Sequence, residues 1–279
     1  MNNTLLYALT VPLLAASGGL AAAGVFGRWA APGWLTRGLA GLALACAAFV
    51  LGQSLFQPDG LHFGFVIGLM CVSWLAALVA FVEGFFNRVP LLDMLVYGIA
   101  ALVFLLPGVL GNDPAIRMAG DQLFQLHLLI ALAAYSLLGL AAGHALVMHA
   151  QEKSLHSLMK TTRPQMALRE RLLDQLPPLM AMEATLFRQL WAGFVLLSLT
   201  LLTGFVFSDQ WSGSVGHLNH KTIFSILSWV LLAVLLAGRV VLGWRGKVAL
   251  RWCLASYGVL LLAYFGTQFV LEYVLKRVA

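Results

Sequence analysis

Histidine is the residue type in this chain most able to do chemistry, and His127 is set apart by its surroundings. It lies in a long apolar stretch, Asp121 to Gln151, reading DQLFQLHLLIALAAYSLLGLAAGHALVMHAQ. If that stretch is one helix, the six residues from Asp121 to His127 put the imidazole about 9 Å inside the helix end. An ionisable group is costly at that depth in apolar surroundings, so it must face protein, water or a ligand. Ala131, Ala134, Ala141 and Ala145 fall on the same helical face, and such small side chains admit either a neighbouring helix or a flat cofactor. A packing seam with one hydrogen-bonded histidine is the plainer outcome. Imidazole binds zinc, copper and iron alike. No HExxH, CxxC or CxxCH accompanies it, and Cys46, Cys71 and Cys253 are scattered through apolar segments as small hydrophobes. No serine or cysteine has a recognisable base partner, so an enzyme with a nucleophile is not expected.

Positioning these residues falls to membrane helices. A 279-residue chain that is 61% hydrophobic and 10% charged cannot hide its apolar surface in a soluble globule. Apolar runs of spanning length occur near 4–25, 36–56, 62–82, 90–110, 122–149, 185–207, 220–243 and 251–274. The expected fold is therefore all-α: about eight transmembrane helices in one membrane domain, 1–279. It divides into a four-helix part, 1–118, and a second four-helix part, 119–279, with a cytoplasmic loop over 151–180. The first run has no Lys or Arg before it, unlike a cleaved signal peptide, and reads as a span. Trp29, Trp34, Trp211, Trp244 and Trp252 fall at span ends, whereas Trp74 and Trp229 lie deeper as packing residues. Pro107 marks a candidate kink near the end of the fourth span.

With the N-terminus outside, thirteen of the 17 lysines and arginines collect on the inner side, leaving Arg117, Lys221, Lys276 and Arg277 outside. That bias puts both termini on the outer, periplasmic side of a bacterial inner membrane. It also accounts for the net charge of +6 without nucleic acid. The segment Gln151 to Pro178 alternates basic and apolar residues as suits a helix lying on anionic lipid, with docking of another membrane protein as the alternative.

Topology then sorts the histidines. His62, His127, His217 and His220 fall at the outer face, and His144, His149 and His156 at the inner. His62 begins the third span. If Asn219 caps the seventh helix, His220 sits in its first turn beside Lys221 and Thr222, where the positive helix end favours a neutral imidazole able to bind metal. Pairing His127 with His220 across helices five and seven would supply two axial ligands for iron, and His62 and His217 are also within reach. Zinc would want more protein ligands than the outer half offers, whereas a porphyrin needs an apolar slot. A non-covalent, b-type haem is the expected cofactor. Glu83, Asp93, Glu183 and Glu272 lie near span ends, with Glu183 set to neutralise Arg188 locally. An ion path would want acids nearer the bilayer centre. An accessory or transport subunit, for a metal ion for instance, is thus the second class of function.

From about Asp121 onward the chain resembles the cytochrome c assembly membrane proteins, the CcsA-like haem-handling family, and most closely its YpjD-like inner-membrane branch. The resemblance is carried by LHLLIALAAYSLLGLAAG (126–143), LPPLMAMEATLFRQLWAGFVLLSLTLLTGFVF (176–207), NHKTIFSILSWVLLAVLLAGRVVLGWRGKVALRW (219–252) and LLAYFGTQFV (261–270). It implies haem binding at the outer face, with His127 in the place of the first periplasmic haem-ligating histidine. It places His220-Lys221-Thr222 at the end of the family's tryptophan-rich WWD segment, and it makes cytochrome assembly components the expected partners. The sequence departs in keeping one tryptophan, Trp211, in Ser208–Asn219, and in having Glu272-Tyr273 and no histidine near the end of the last span. Both departures point away from haem attachment to apocytochrome c and toward haem binding or handling.

Overall fold

The computed structural model describes residues 3–26, 31–57, 60–110, 116–118, 122–158, 176–212 and 220–266. Hydrocarbon offers no hydrogen bonds, so each spanning segment must satisfy its own backbone, and these segments are helices. They are α1 (Asn3–Val25), α2 (Gly33–Leu55), α3 (Phe65–Glu83), α4 (Pro90–Leu110), α5 (Gln122–Leu158), α6 (Leu179–Ser212), α7 (His220–Val241) and α8 (Gly246–Leu261), the last continued by a π-helical turn, Leu262–Gly266. All eight hold a stretch long and apolar enough to cross a membrane.

Several bounds differ from the sequence expectation, each for a local reason. The sixth span starts before residue 185 because Pro178 opens it: the Ala181 and Met182 amides bond the Pro178 carbonyl at 2.9 and 3.2 Å. α8 begins at Gly246 rather than 251, since Gly243 and Gly246 at φ +66° and +53° let the chain reverse in a few residues. α5 runs on to Leu158 and so takes in the start of the expected cytoplasmic loop. Residues 159–175, on which the lipid-surface helix was expected, lie outside the described residues, as does Asn219. α4 continues through Pro107 to Leu110.

Three short strands were not anticipated. β1 (Phe56–Gln57), β2 (Gly60–Phe63) and β3 (Ile116–Met118) form an antiparallel sheet in that order, where α2 ends and α5 begins. His62 therefore does not open the third span. It sits on β2 opposite Arg117, and α3 starts at Phe65 after Gly64. Pairing lets this stretch satisfy its backbone groups outside any helix.

α3 is the most enclosed span, 56% of its apolar window being buried. α1 packs on α2 and α4, α5 on α3, α6 and α8, and α7 on α6 and α8. Cross-links confirm the up-and-down order: Tyr7 Oη to Ser54 Oγ at 3.0 Å, Trp74 Nε1 to the Leu44 carbonyl at 2.9 Å, Trp229 Nε1 to Ser198 Oγ at 2.8 Å, and Ser228 Oγ to the Ser256 carbonyl at 2.8 Å. Both deep indoles are packing residues, as expected. Small residues close the seams. A Cβ on Gly18 would lie 3.3 Å from the Gly98 amide nitrogen, and one on Gly139 would meet the Tyr257 hydroxyl at 2.6 Å. Leu102, Val109, Leu202, Phe205 and Val240 point outward, as lipid-facing side chains should.

One end of the bundle gathers the helix termini at Val25, Gly33, Glu83, Pro90, Leu179, Val241 and Gly246. It carries Arg37, Arg88, Lys153, Arg188, Arg239, Arg245, Lys247 and Arg251. We call it the basic end. The opposite end holds the sheet, the start of α5 and the end of α6.

Candidate functional site

At the end opposite the basic one, α5 and α6 hold His127 between them. The α5 stretch is helical through its run of Leu and Ala, and its sixth residue is His127. Thr203 on α6 presents its hydroxyl to the imidazole, with Oγ1 2.7 Å from Nδ1. That hydroxyl gives its single proton back along its own helix, to the Leu199 carbonyl at 2.8 Å with the Thr200 carbonyl at 3.1 Å. With that proton given to the Leu199 carbonyl, the hydroxyl can accept from a His127 Nδ1–H, the tautomer in which Nε2 carries the lone pair. Gly204 lets α6 pass close to the ring: a Cβ there would lie 3.4 Å from His127 Cε1. Phe124 flanks the ring at 6.1 Å between centroids, and the imidazole is half-buried. A neutral imidazole fixed at Nδ1 by a hydrogen-bond acceptor is the arrangement that metal-ligating histidines use.

The alanine face below His127 is resolved in favour of a helix. Ala134, Ala141 and Ala145 are fully buried, and neighbouring side chains fill the seams beside them. On α6, a Cβ at Gly193 would run into Leu138, so backbone and leucine already fill that interface. A planar cofactor has no room along these turns. Any ligand of His127 meets it near the helix ends.

A second cluster at the same end joins the remaining elements. The Tyr264 ring lies 6.3 Å from Phe63 on β2 and 5.2 Å from Phe265, and Lys221 Nζ sits 5.5 Å above it. Tyr135 on α5 meets Phe265 edge-on at 5.5 Å and donates its hydroxyl to the Leu260 carbonyl at 2.9 Å. The chain neighbours of His62 and His220 thus converge on one ring. The His220 side chain itself lies outside the described residues, as do that of Trp211 on the last turn of α6 and all of His217. α5 and α7 do not pack closely, because α6 and α8 stand between them. One ligand held by both His127 and His220 would span those helices. Among the described residues no group of three or more His, Cys, Asp or Glu side chains could hold a metal ion.

The basic end carries polar groups that the sequence reading did not place. Glu183 does not neutralise Arg188. It bonds Arg239 Nη1 at 2.6 Å and Arg245 Nε at 3.3 Å, pairing α6 with the α7–α8 turn, while the Arg239 guanidinium lies 4.4 Å from the Phe187 ring centre. Helical periodicity explains the error: five residues apart, Glu183 and Arg188 point to different sides, whereas three or four would align them. Arg188 instead donates to Thr185 Oγ1 at 3.1 Å. Asp93 pairs with Arg88 at 3.6 Å, and Gln189 donates Nε2 to both Glu83 oxygens at 2.7 and 2.9 Å. The only sequence signal for these contacts was the presence of polar residues within apolar runs.

The family model described as cytochrome C assembly protein matches residues 38–275. The inner membrane protein YpjD of Escherichia coli K12 is 28% identical over 237 residues, covering 82% of this chain and 83% of that protein. An uncharacterized 28.8 kDa protein of Azospirillum brasilense is 32% identical over 169 residues, 61% of this chain and 57% of its own. The cytochrome c biogenesis protein CcsA of Prochlorococcus marinus MIT 9515 is 30% identical over 84 residues, 30% of this chain and 27% of its own. No solved structure matches the chain.

Proposed function

The chain belongs to the cytochrome c assembly protein family, and on that premise we propose that it holds haem near one face of the membrane with His127 as an iron ligand. It is a multi-pass protein of the bacterial inner membrane, and its family supports a role in cytochrome c biogenesis. The observation that carries the finer reading is the Thr203–His127 contact. With Nδ1 on Thr203, a metal would bind through Nε2, and the ring stands half-buried near a helix end rather than in the filled core.

A haem b fits this setting in its chemistry: one imidazole oriented by Thr203, a glycine beside it, and apolar helix surface around. When bound, the iron would supply ligand exchange and one-electron chemistry. His127 would hold the metal, Thr203 would orient His127, and Phe124 would shield one flank. His220 would be the second iron ligand, with His217 and Trp211 contributing from the α6–α7 connection. We assign the protein no catalytic turnover of its own, and cytochrome assembly components are its proposed partners. The acids near the spans support haem holding over ion transport, since Glu83, Asp93 and Glu183 are engaged in hydrogen bonds or ion pairs that tie helices together.

The test is an absorption spectrum of detergent-purified protein expressed with ample haem, beside His127→Ala and His220→Ala at matched yield. A Soret band with split visible bands, lost or shifted in either variant, supports the reading. A colourless wild type that does not take up added haem refutes it.

A further inference from the structure

At the basic end, α3 and α6 both lean on α5 and diverge from each other, and a cavity of about 270 Å³ opens between them. It lies far from His127 along the spans, and nothing in the proposed haem site uses it. Its polar lining comes from Glu83, Asn87, His144, Thr185 and Arg188. Behind it, Gln189 ties α6 to Glu83, and His144, 2% exposed, is held by the Leu140 carbonyl at 3.3 Å from Nδ1. The remaining wall is apolar, including Phe86 and Met182.

Three properties define the occupant. The site offers one carboxylate and one guanidinium, so a ligand that carries a cation and an anion together is matched, and a ligand of single charge meets one like charge. Asn87 adds a side-chain amide that can donate to a phosphate, and the Thr185 hydroxyl, which accepts from Arg188 at 3.1 Å and donates to the Ala181 carbonyl at 3.2 Å, orients the guanidinium. Finally, the cavity lies where spans end, next to the strongly exposed Phe85 and Phe86. Trp34, 74% exposed, and Trp244 lie at the same end, and tryptophans at span ends mark the level of lipid headgroups.

We propose that this cavity binds a phosphoethanolamine group, presented by a phosphatidylethanolamine lipid, with the phosphate on Arg188 and Asn87 and the ammonium on Glu83. The apolar wall receives the start of the acyl chains. The lipid would then stiffen the α3–α6 wedge, which the Gln189–Glu83 bridge also holds.

Native mass spectrometry of the full-length protein, delipidated in detergent and offered phosphatidylethanolamine, phosphatidylglycerol and phosphatidylcholine of identical chains, tests this. Wild type should retain phosphatidylethanolamine over phosphatidylglycerol by roughly tenfold, the ratio for one hydrogen bond to a charged group. Glu83→Gln should erase that preference, Arg188→Gln should weaken phosphatidylethanolamine and phosphatidylglycerol alike, and Ala181→Phe should block both by filling the cavity without altering its charges. Soluble phosphoethanolamine should compete only weakly, and competition at parity would overturn the lipid source. Equal retention of the three lipids, or a preference unchanged in Ala181→Phe with helix content and monodispersity intact, overturns the site.

Discussion

Replacing Thr203 by Val keeps the shape of the side chain and removes the hydroxyl that faces His127 Nδ1. The bond exists before and after a metal binds, so its full strength does not enter the affinity. Two differences do. In the variant the imidazole is released to place its proton on either nitrogen, and the form with Nε2 protonated must convert before it can bind iron. A bond worth about 1 kcal/mol that selects the tautomer limits this effect to about fivefold. Coordination also makes the Nδ1 proton more acidic, so the wild-type bond strengthens on binding and the variant forgoes that gain. Together these fall at the low end of the roughly 10–100-fold typical for partners of metal-bound histidines. We expect Thr203→Val to raise the haem Kd about tenfold, equivalent to about 1.4 kcal/mol. Thr203→Ser, which restores the acceptor, should match wild type. The assay is titration of haem into apoprotein in lipid nanodiscs, read at the Soret maximum, with the iron–histidine stretch followed by resonance Raman spectroscopy of the ferrous protein in a His220→Ala background, where His127 would be left as the protein ligand. A Thr203→Val protein with wild-type Kd and an unmoved stretch would show that the Thr203 contact does not act on a metal ligand.

Other perturbations probe the frame and the orientation. His220→Ala should convert a low-spin haem spectrum to a high-spin one that added imidazole reverses, whereas loss of all haem would make His220 structural. Glu183→Ala strands the Arg239 guanidinium beside Phe187 and should cost about 3 kcal/mol, lowering the thermal midpoint in detergent by several degrees. Gly238→Ala drives a methyl into the Trp244 indole and should destabilise by about 2 kcal/mol, with Gly238→Ala/Trp244→Leu recovering part of the loss. For topology, Lys153→Cys should resist and Ala279→Cys should accept a membrane-impermeant maleimide added to the periplasmic side. The native cysteines lie within spans, so they contribute little background.

How much of this was legible in the chain differs by level. Eight spans could be read directly because the bilayer forces a one-dimensional rule: about 20 apolar residues, with every backbone group bonded inside its own segment. The depth of His127 followed from the same rise per residue, and the deep placement of Trp74 and Trp229 from their distance to the span ends. The strand carrying His62 escaped, because its backbone pairs with Ile116–Met118, more than 50 residues away, and periodicity within a short polar stretch does not reveal that partner. Pairing between helices was equally hidden. An alanine face at helical spacing admits a cofactor or a helix, and only the approach of α6 through Gly193 onto Leu138 chose the helix. Glu183 was assigned its sequence neighbour Arg188, yet its partners Arg239 and Arg245 lie more than 50 residues on. Hydropathy and composition determine which residues enter the membrane and at what depth. Which polar group meets which across the bundle is decided by the packing of rigid helices, and so by tertiary structure alone.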